Sequence, residues 1–313
     1  MSKLASLSAL LGAFLACTPF FAFDVAAGPP QGDAAQPLRV LLIPADGGTD
    51  AGTRADFEPL FAAVGRETGL KFDLRVGQSY GAVVEALKAG LVDVAWLGPV
   101  AYVQARSAGA AELLAVSVTD SSSTYYAAIF VRKDAPVRTL ADLRGRKVAF
   151  GDVNSASSFT YQIAMLQQAG VDPAAALGAL RITGSHAASL AALAEGQVDA
   201  ACLSFESFSR AAEHGTIDPA DYRVLARSEP IPNPPLVLST RLPPAQKDQL
   251  RDAFANVHHA AGISAEMVRG YGGKRVDRYD TTFPDSAFDR PAATLSTIDD
   301  TMRTAILRKA AQR

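Results

Sequence analysis

Cysteine is almost missing from this chain, which has two among 313 residues. A disulfide-built scaffold and any multi-cysteine metal site are thereby excluded. Charge of one sign is missing too: 30 Lys and Arg stand against 32 Asp and Glu, a formal charge of −2. That balance argues against nucleic-acid partners and against a strongly cationic membrane-binding surface. There is no glycine-rich nucleotide loop and no metal-ligand spacing, and no Ser–His–Asp or Cys–His signature accompanies the four histidines. No cofactor, metal or catalytic group is expected. What is present is ordinary for a globular protein: 49% hydrophobic and 20% charged residues, in a chain long enough for one large or two medium domains.

Long apolar runs are also lacking, with one exception. Leu7 to Phe23 follows Lys3 and is broken only by small residues and Pro19. It is shorter than the roughly 20 residues of a spanning helix and suits the core of an export signal. Val25-Ala26-Ala27 offers small residues for cleavage, while Leu15-Ala16-Cys17 makes a rough lipobox, so a lipid anchor through Cys17 is the alternative. Gly28 to Pro37 reads as a linker. Losing residues 1–36 takes away Lys3, Asp24 and Asp33, leaves a net charge of −1, and makes Cys202 the sole cysteine.

The remaining chain alternates strand and helix patterns. Arg39–Ile43 is an apolar run, and Phe57, Leu60, Phe61 and Val64 then recur at helical spacing. Phe72–Val76, a helix carrying Tyr80, Val83, Val84 and Leu87, and Val92–Leu97 follow. Such order implies right-handed βαβ units on a parallel sheet. The pattern then repeats. A shift of 106 residues lays Leu74–Leu97 on Leu180–Leu203 with 11 of 24 positions identical, including Gly90/Gly196, Val92/Val198 and Asp93/Asp199 in register. Two related α/β lobes are expected: 37–128 plus 232–313 as lobe 1, 129–231 as lobe 2, and 1–36 as signal peptide and linker. Ser121–Val131 and Ser228–Leu238 join them, the second too rich in proline for a central strand. Pro244–Ala260 and Ala292–Ala311 look helical and are expected to complete lobe 1.

Ligands in open parallel sheets bind beyond the carboxyl ends of the strands, where the next helices start. Those places hold Pro44–Thr49, Gly77-Gln78-Ser79-Tyr80, Gly98–Tyr102, Gly151–Ser158 and Thr183–His186. Asn154–Ser158 is the most informative of them. Small residues at a helix start leave backbone N–H groups uncovered, and serine hydroxyls add donors, so an anion is cradled without lysine or arginine. A common serine N-cap would look the same. The repeat favours the binding reading, because Tyr80 and His186 fall at equivalent positions of the two lobes. Cys202 reads as a buried, inert thiol, His258-His259 as packing, and Trp96 as core. Asp93 and Asp199 are expected to fix the turn before each strand.

These segments resemble the phosphonate/phosphite-binding family of ABC-transporter periplasmic proteins, whose fold is the two-lobe type II periplasmic-binding fold. The residues carrying the resemblance are Ser79-Tyr80 leading into Glu85-Ala86-Leu87, and Gly90-Leu-Val-Asp-Val-Ala-Trp-Leu-Gly-Pro-Val-Ala-Tyr102. Lys147–Ser157, Gly184–Leu190 and Gly196–Asp199 add to it, and the likeness fades after about residue 265. It implies that Tyr80 and Tyr102 contact the anion from lobe 1. Ser155, Ser157 and the Ala156 amide would hold it at the helix start, with His186 closing the shell. Ala156 stands where the family often has Thr. Ser204 stands where an amine-bearing phosphonate would meet a carboxylate, with Glu206 nearby, which favours a small or neutral-tailed oxyanion. The implied role is capture, not catalysis, by a monomeric periplasmic protein that delivers its ligand to an ABC permease. An exported sensor working with a membrane histidine kinase is the alternative.

Overall fold

A computed structural model describes residues 36–44 and 50–312. The expected export signal, with Cys17, and the 45–49 part of the first strand-end loop lie outside them. The first half of the described chain runs β1 (Leu38–Leu42), α1 (Asp50–Thr68), β2 (Phe72–Val76), α2 (Tyr80–Lys88), β3 (Val94–Trp96), α3 (Pro99–Ser107), β4 (Ala111–Val118), β5 (Thr124–Tyr125) and β6 (Ala127–Arg132). Then come β7 (Lys147–Phe150), α4 (Tyr161–Gln168), β8 (Ala179–Ile182), α5 (His186–Ala194), β9 (Ala200–Ser204), α6 (Phe205–Glu213) and β10 (Tyr222–Arg227). The chain ends with β11 (Ile231–Pro232), β12 (Pro235–Ser239), α7 (Pro244–Asn256), β13 (Arg278–Asp280), α8 (Asp289–Ser296) and α9 (Asp300–Ala311).

The repeat in the sequence is a repeat in space. One sheet has the order β13-β4-β12-β3-β1-β2 and the other β10-β6-β9-β7-β8. In each, the first strand of the unit is central and pairs in parallel with the next two: β1 with β2 and β3, β7 with β8 and β9. The in-register aspartates tie these units together. Buried Asp93 accepts the Arg39 backbone N–H at 2.8 Å and both arms of its guanidinium at 2.9 and 2.7 Å. Asp199 accepts only the Lys147 N–H, at 2.8 Å. Each therefore pins the start of the central strand beside the strand it precedes.

Each sheet carries its own apolar core. Phe57 and Phe61 of α1 are fully buried on the first sheet, where Phe61 meets Phe72 at 5.1 Å and Phe254 of α7 at 5.4 Å. Phe150, Phe159, Ile163 and Leu166 belong to the core of the second. The two crossing segments pair with one another as β5 and β11, Ile231 opposite Tyr125 and Pro232 opposite Thr124.

Three expectations are corrected. The proline-rich exit of the second unit does form a central strand: β12 lies between β3 and β4. Its proline, Pro235, is the first strand residue, where the absent N–H interrupts the ladder least, and its carbonyl accepts from Leu97 at 3.0 Å. The run 292–311 is two helices, broken where Asp299 caps α9 by accepting the Met302 N–H at 2.7 Å. Helix α9 does not complete lobe 1. It packs beside β8, and Ile298 and Ile306 join the core of the second sheet. An amphipathic pattern states that a face is covered, not which sheet covers it.

Candidate binding site

Four helix starts at strand ends hold most of the candidate residues, and each is capped by serine. Ser79 Oγ accepts the Ala82 N–H at 3.2 Å, Ser155 Oγ the Ser158 N–H at 3.2 Å, Ser185 Oγ the Ala188 N–H at 3.1 Å, and Ser204 Oγ the Ser207 N–H at 3.0 Å. None of these starts, residues 79–82, 155–160, 185–189 and 204–207, contains lysine or arginine. Positive charge there comes from backbone N–H groups and aligned peptide dipoles. The start after β7 is unusual: residues Ala156–Thr160 wind as a π-helix, with Thr160 N–H bonded to the Ser155 carbonyl at 3.1 Å, before α4 continues. The wider turn is a feature that recurs at functional sites. Ser155, Ala156 and Ser157 are all buried there, and the Ser157 carbonyl accepts from the Gln162 amide at 2.6 Å.

Tyr80 and His186 hold the same place in their units, the first residue of α2 and of α5. The Tyr80 ring rests on the backbone before α3, where a Cβ on Gly98 would stand 3.0 Å from it. Its N–H reaches Asp152 Oδ2 at 3.4 Å, while Asn154 accepts from Gln104 of α3 at 3.2 Å. Both contacts bring the first unit against the loop that feeds the serine start. His186 is buried, and its Nδ1 accepts the Ser204 N–H at 2.9 Å. That bond assigns the proton to Nε2, so the ring serves as a donor. Ser204 thus orients His186, and its hydroxyl lies 2.7 Å from that of Ser207.

Tyr102 does not join this group. Its hydroxyl donates to Asp285, its ring meets Phe288 edge-on at 4.9 Å, and the Arg106 guanidinium stands 5.7 Å over it. Burial, then the Asp285 bond, pushes its pKa up. Tyr102 therefore anchors α3 to the chain before α8. Cys202 is buried in β9, where desolvation holds its thiol well above the ordinary value, as expected of an inert cysteine. The adjacent histidines follow α7 in a 3₁₀ turn, not in a regular helix, and their rings lie 3.9 Å apart.

Three further residues lie against these helix starts. Asp152, half-buried, accepts the Asn154 N–H at 2.7 Å, and burial raises its pKa. Tyr125 packs in one cluster with Ala156. Tyr271 places its ring 5.7 Å from Tyr125 and 6.0 Å from His186. A cavity of about 780 Å³ reaches His186 from between α1 and α6. A second, of about 510 Å³, is lined by Glu206, Ser207 and Tyr271.

Residues 49–279 match the model of a family described as the ABC-transporter, phosphonate, periplasmic substrate-binding protein. The chain belongs to this phosphonate-binding family. The match runs on past residue 265, the point at which the motif likeness ends, and takes in the segment carrying Tyr271. The phosphate-import protein PhnD of Mycolicibacterium smegmatis is 30% identical over 231 residues, which span 70% of this chain and 71% of the relative. A binding-protein component of an ABC phosphonate transporter from Pseudomonas aeruginosa has a TM-score of 0.69 at 22% identity, covering 88% of this chain and 98% of that one. PhnD1 of Prochlorococcus marinus, solved with methylphosphonate, has a TM-score of 0.71 at 16% identity, covering 83% and 97%. The architecture is the type II periplasmic-binding fold expected from the sequence. These relatives are transport binding proteins, not enzymes. Among the described residues no helix is long and apolar enough to cross a membrane.

Of the two glutamates lining the second cavity, Glu206 and Glu213, Glu206 is the one with a buried carboxyl. Its Oε2 is buried without a hydrogen-bond partner, and burial raises its pKa. A carboxyl whose pKa is higher in the folded state costs stability as pH climbs through and above the unfolded value. Glu206→Gln should therefore raise Tm at pH 7, and the gain should vanish below about pH 4.5, the ordinary value for this group. Thermal unfolding of both proteins across pH 4 to 7 checks this.

Proposed function

We propose that this protein captures a small phosphorus oxyanion, a phosphonate or phosphite, between its two lobes and delivers it as a monomer to an ABC permease. The observation that carries the reading is the set of four serine-capped helix starts, which supply donors and dipoles with no cationic side chain among them. Ser157, the amides around Ala156 and His186 Nε2 are the donors assigned to the anion, with Tyr80 as the wall from the first unit. In a buried site such bonds are stronger than in water, and those to a charged group contribute about 1.5–3 kcal/mol each. Ser155 and Ser204 act mainly by holding a helix start and the His186 ring. Export rests on the apolar segment Leu7–Phe23, with cleavage after Val25-Ala26-Ala27 or lipidation of Cys17 placing the protein on the far side of the membrane.

A thermal-shift panel of phosphite, methylphosphonate, phosphate, sulfate and methanesulfonate tests the ligand class, because a ligand of the native state raises Tm. A shift with a phosphorus oxyanion and none with the sulfur ones is expected. Shifts with none, or with sulfonate alone, refute the reading. Phosphate is in the panel because a relative is named for its import.

A further inference from the structure

Between the two cavities stands a tongue of chain, residues 268–276. It is a small hairpin: the Val276 N–H bonds to the Val268 carbonyl at 2.9 Å, and the Gly270 N–H to the Lys274 carbonyl at 2.8 Å. The Arg269 guanidinium donates to the Gly273 carbonyl at 3.1 Å, and the Tyr279 hydroxyl to the Arg269 carbonyl. Its base is fastened to the first sheet, where the Asp277 N–H reaches the Val118 carbonyl at 2.8 Å. Its tip reads Tyr271-Gly272-Gly273, and both glycines have left-handed backbone, at φ 64° and 74°.

The tip is wedged between the lobes. A Cβ on Gly272 would stand 2.4 Å from Arg210 Nη1 of α6, and one on Gly273 would stand 2.3 Å from Asp56 Oδ2 of α1. The left-handed backbone disfavours a side chain at either position, and the tip lies between the ends of Arg210 and Asp56, one from a helix of each lobe. That fixes Tyr271. Its ring is 6.0 Å from His186, 5.7 Å from Tyr125 and 5.8 Å from Trp96, and its hydroxyl is 3.5 Å from Ser207 Oγ. Two of these neighbours are walls of the anion site, since His186 supplies a donor and Tyr125 packs with Ala156.

We infer that Tyr271 is the specificity-determining residue for the substituent on the ligand's central atom; this rests on the oxyanion reading above. An anion held between the serine start and His186 presents its substituent to this ring. The first cavity reaches His186 directly, whereas Tyr271 stands between His186 and the second cavity, which it lines. On this inference the ring in place favours hydrogen, hydroxyl or a small alkyl group over a bulky substituent. With the ring removed, the substituent has a path into the second cavity.

Calorimetric titration of the full chain and of Tyr271→Ala and Tyr271→Phe with methylphosphonate and phenylphosphonate tests this. Tyr271→Ala should shift the affinity ratio toward phenylphosphonate by about tenfold or more, the range that pocket size commands. Tyr271→Phe keeps the ring and should hold the wild-type ratio, which separates a steric wall from loss of the Ser207 contact. Should Tyr271→Ala fail to unfold cooperatively, Tyr271→Leu, which also removes the ring, takes its place with a smaller shift in the same direction. An unchanged ratio in a folded ring-deleted variant overturns the inference while wild-type binding of methylphosphonate leaves the oxyanion reading standing. Absence of binding by the wild type overturns both.

Discussion

His186→Ala should weaken oxyanion binding by about ten- to a hundredfold, equivalent to losing one hydrogen bond to a charged group. The ring is oriented from behind: the Ser204 N–H donates to Nδ1 at 2.9 Å, leaving Nε2–H as the donor. Alanine removes the donor and also leaves the buried Ser204 N–H unpaired, so some loss of stability should accompany the loss of affinity. Ser204→Ala provides the contrast. It keeps the backbone N–H that orients His186 and removes only the hydroxyl that caps α6, so its main effect falls on Tm, as expected of a lost N-cap worth about 1 kcal/mol. Calorimetry and thermal unfolding of both variants separate these two effects. Equal affinities for wild type and His186→Ala would remove His186 from the site.

Gly151→Ala should strongly damage the serine helix start and, with it, binding. A Cβ there would stand 2.3 Å from Ser158 Oγ and 2.7 Å from Ser158 Cβ, while the Gly151 N–H bonds to the Ser158 carbonyl at 3.0 Å. The strand end and the π-turn are in direct backbone contact, so the serine start must move to make room. Overpacking of this kind costs about 1–3 kcal/mol, and for a chain this size each kcal/mol lowers Tm by roughly 2–4 °C. Binding should fall further than stability, because the displaced turn holds Ser155 and Ser157. Ser158→Gly in the same chain removes both obstructing atoms and should restore part of the Tm and the affinity, a coupling that distant sites do not show.

The parts of this molecule governed by local pattern are legible in its sequence. The shift of 106 residues predicts two sheets built the same way, and β1-β2-β3 and β7-β8-β9 are so paired. It also places Tyr80 and His186 as first residues of equivalent helices, each behind a capping serine. What fails is decided by contacts distant along the chain. Tyr102 sits one turn into α3 with the right chemistry, but Asp285, 183 residues away, takes its hydroxyl. Tyr271 has no repeated partner, and only the attachment of the tongue to β4 carries it to His186. Helix α9 crosses to the second sheet because β8 is an edge strand that it covers, a fact with no local signature. Even Pro235 in a central strand is resolved by position, since the strand begins at that residue.

Whether helix starts and neutral side chains hold the anion is decided by a crystal structure with methylphosphonate. Phosphonate oxygens should lie within hydrogen-bonding distance of the backbone N–H groups of Ala156 and Ser157, of Ser157 Oγ and of His186 Nε2, with no Lys or Arg side chain bonded to them. Phosphonate bound instead in the outer cavity, on the guanidinium of Arg210 or Arg269, would contradict this.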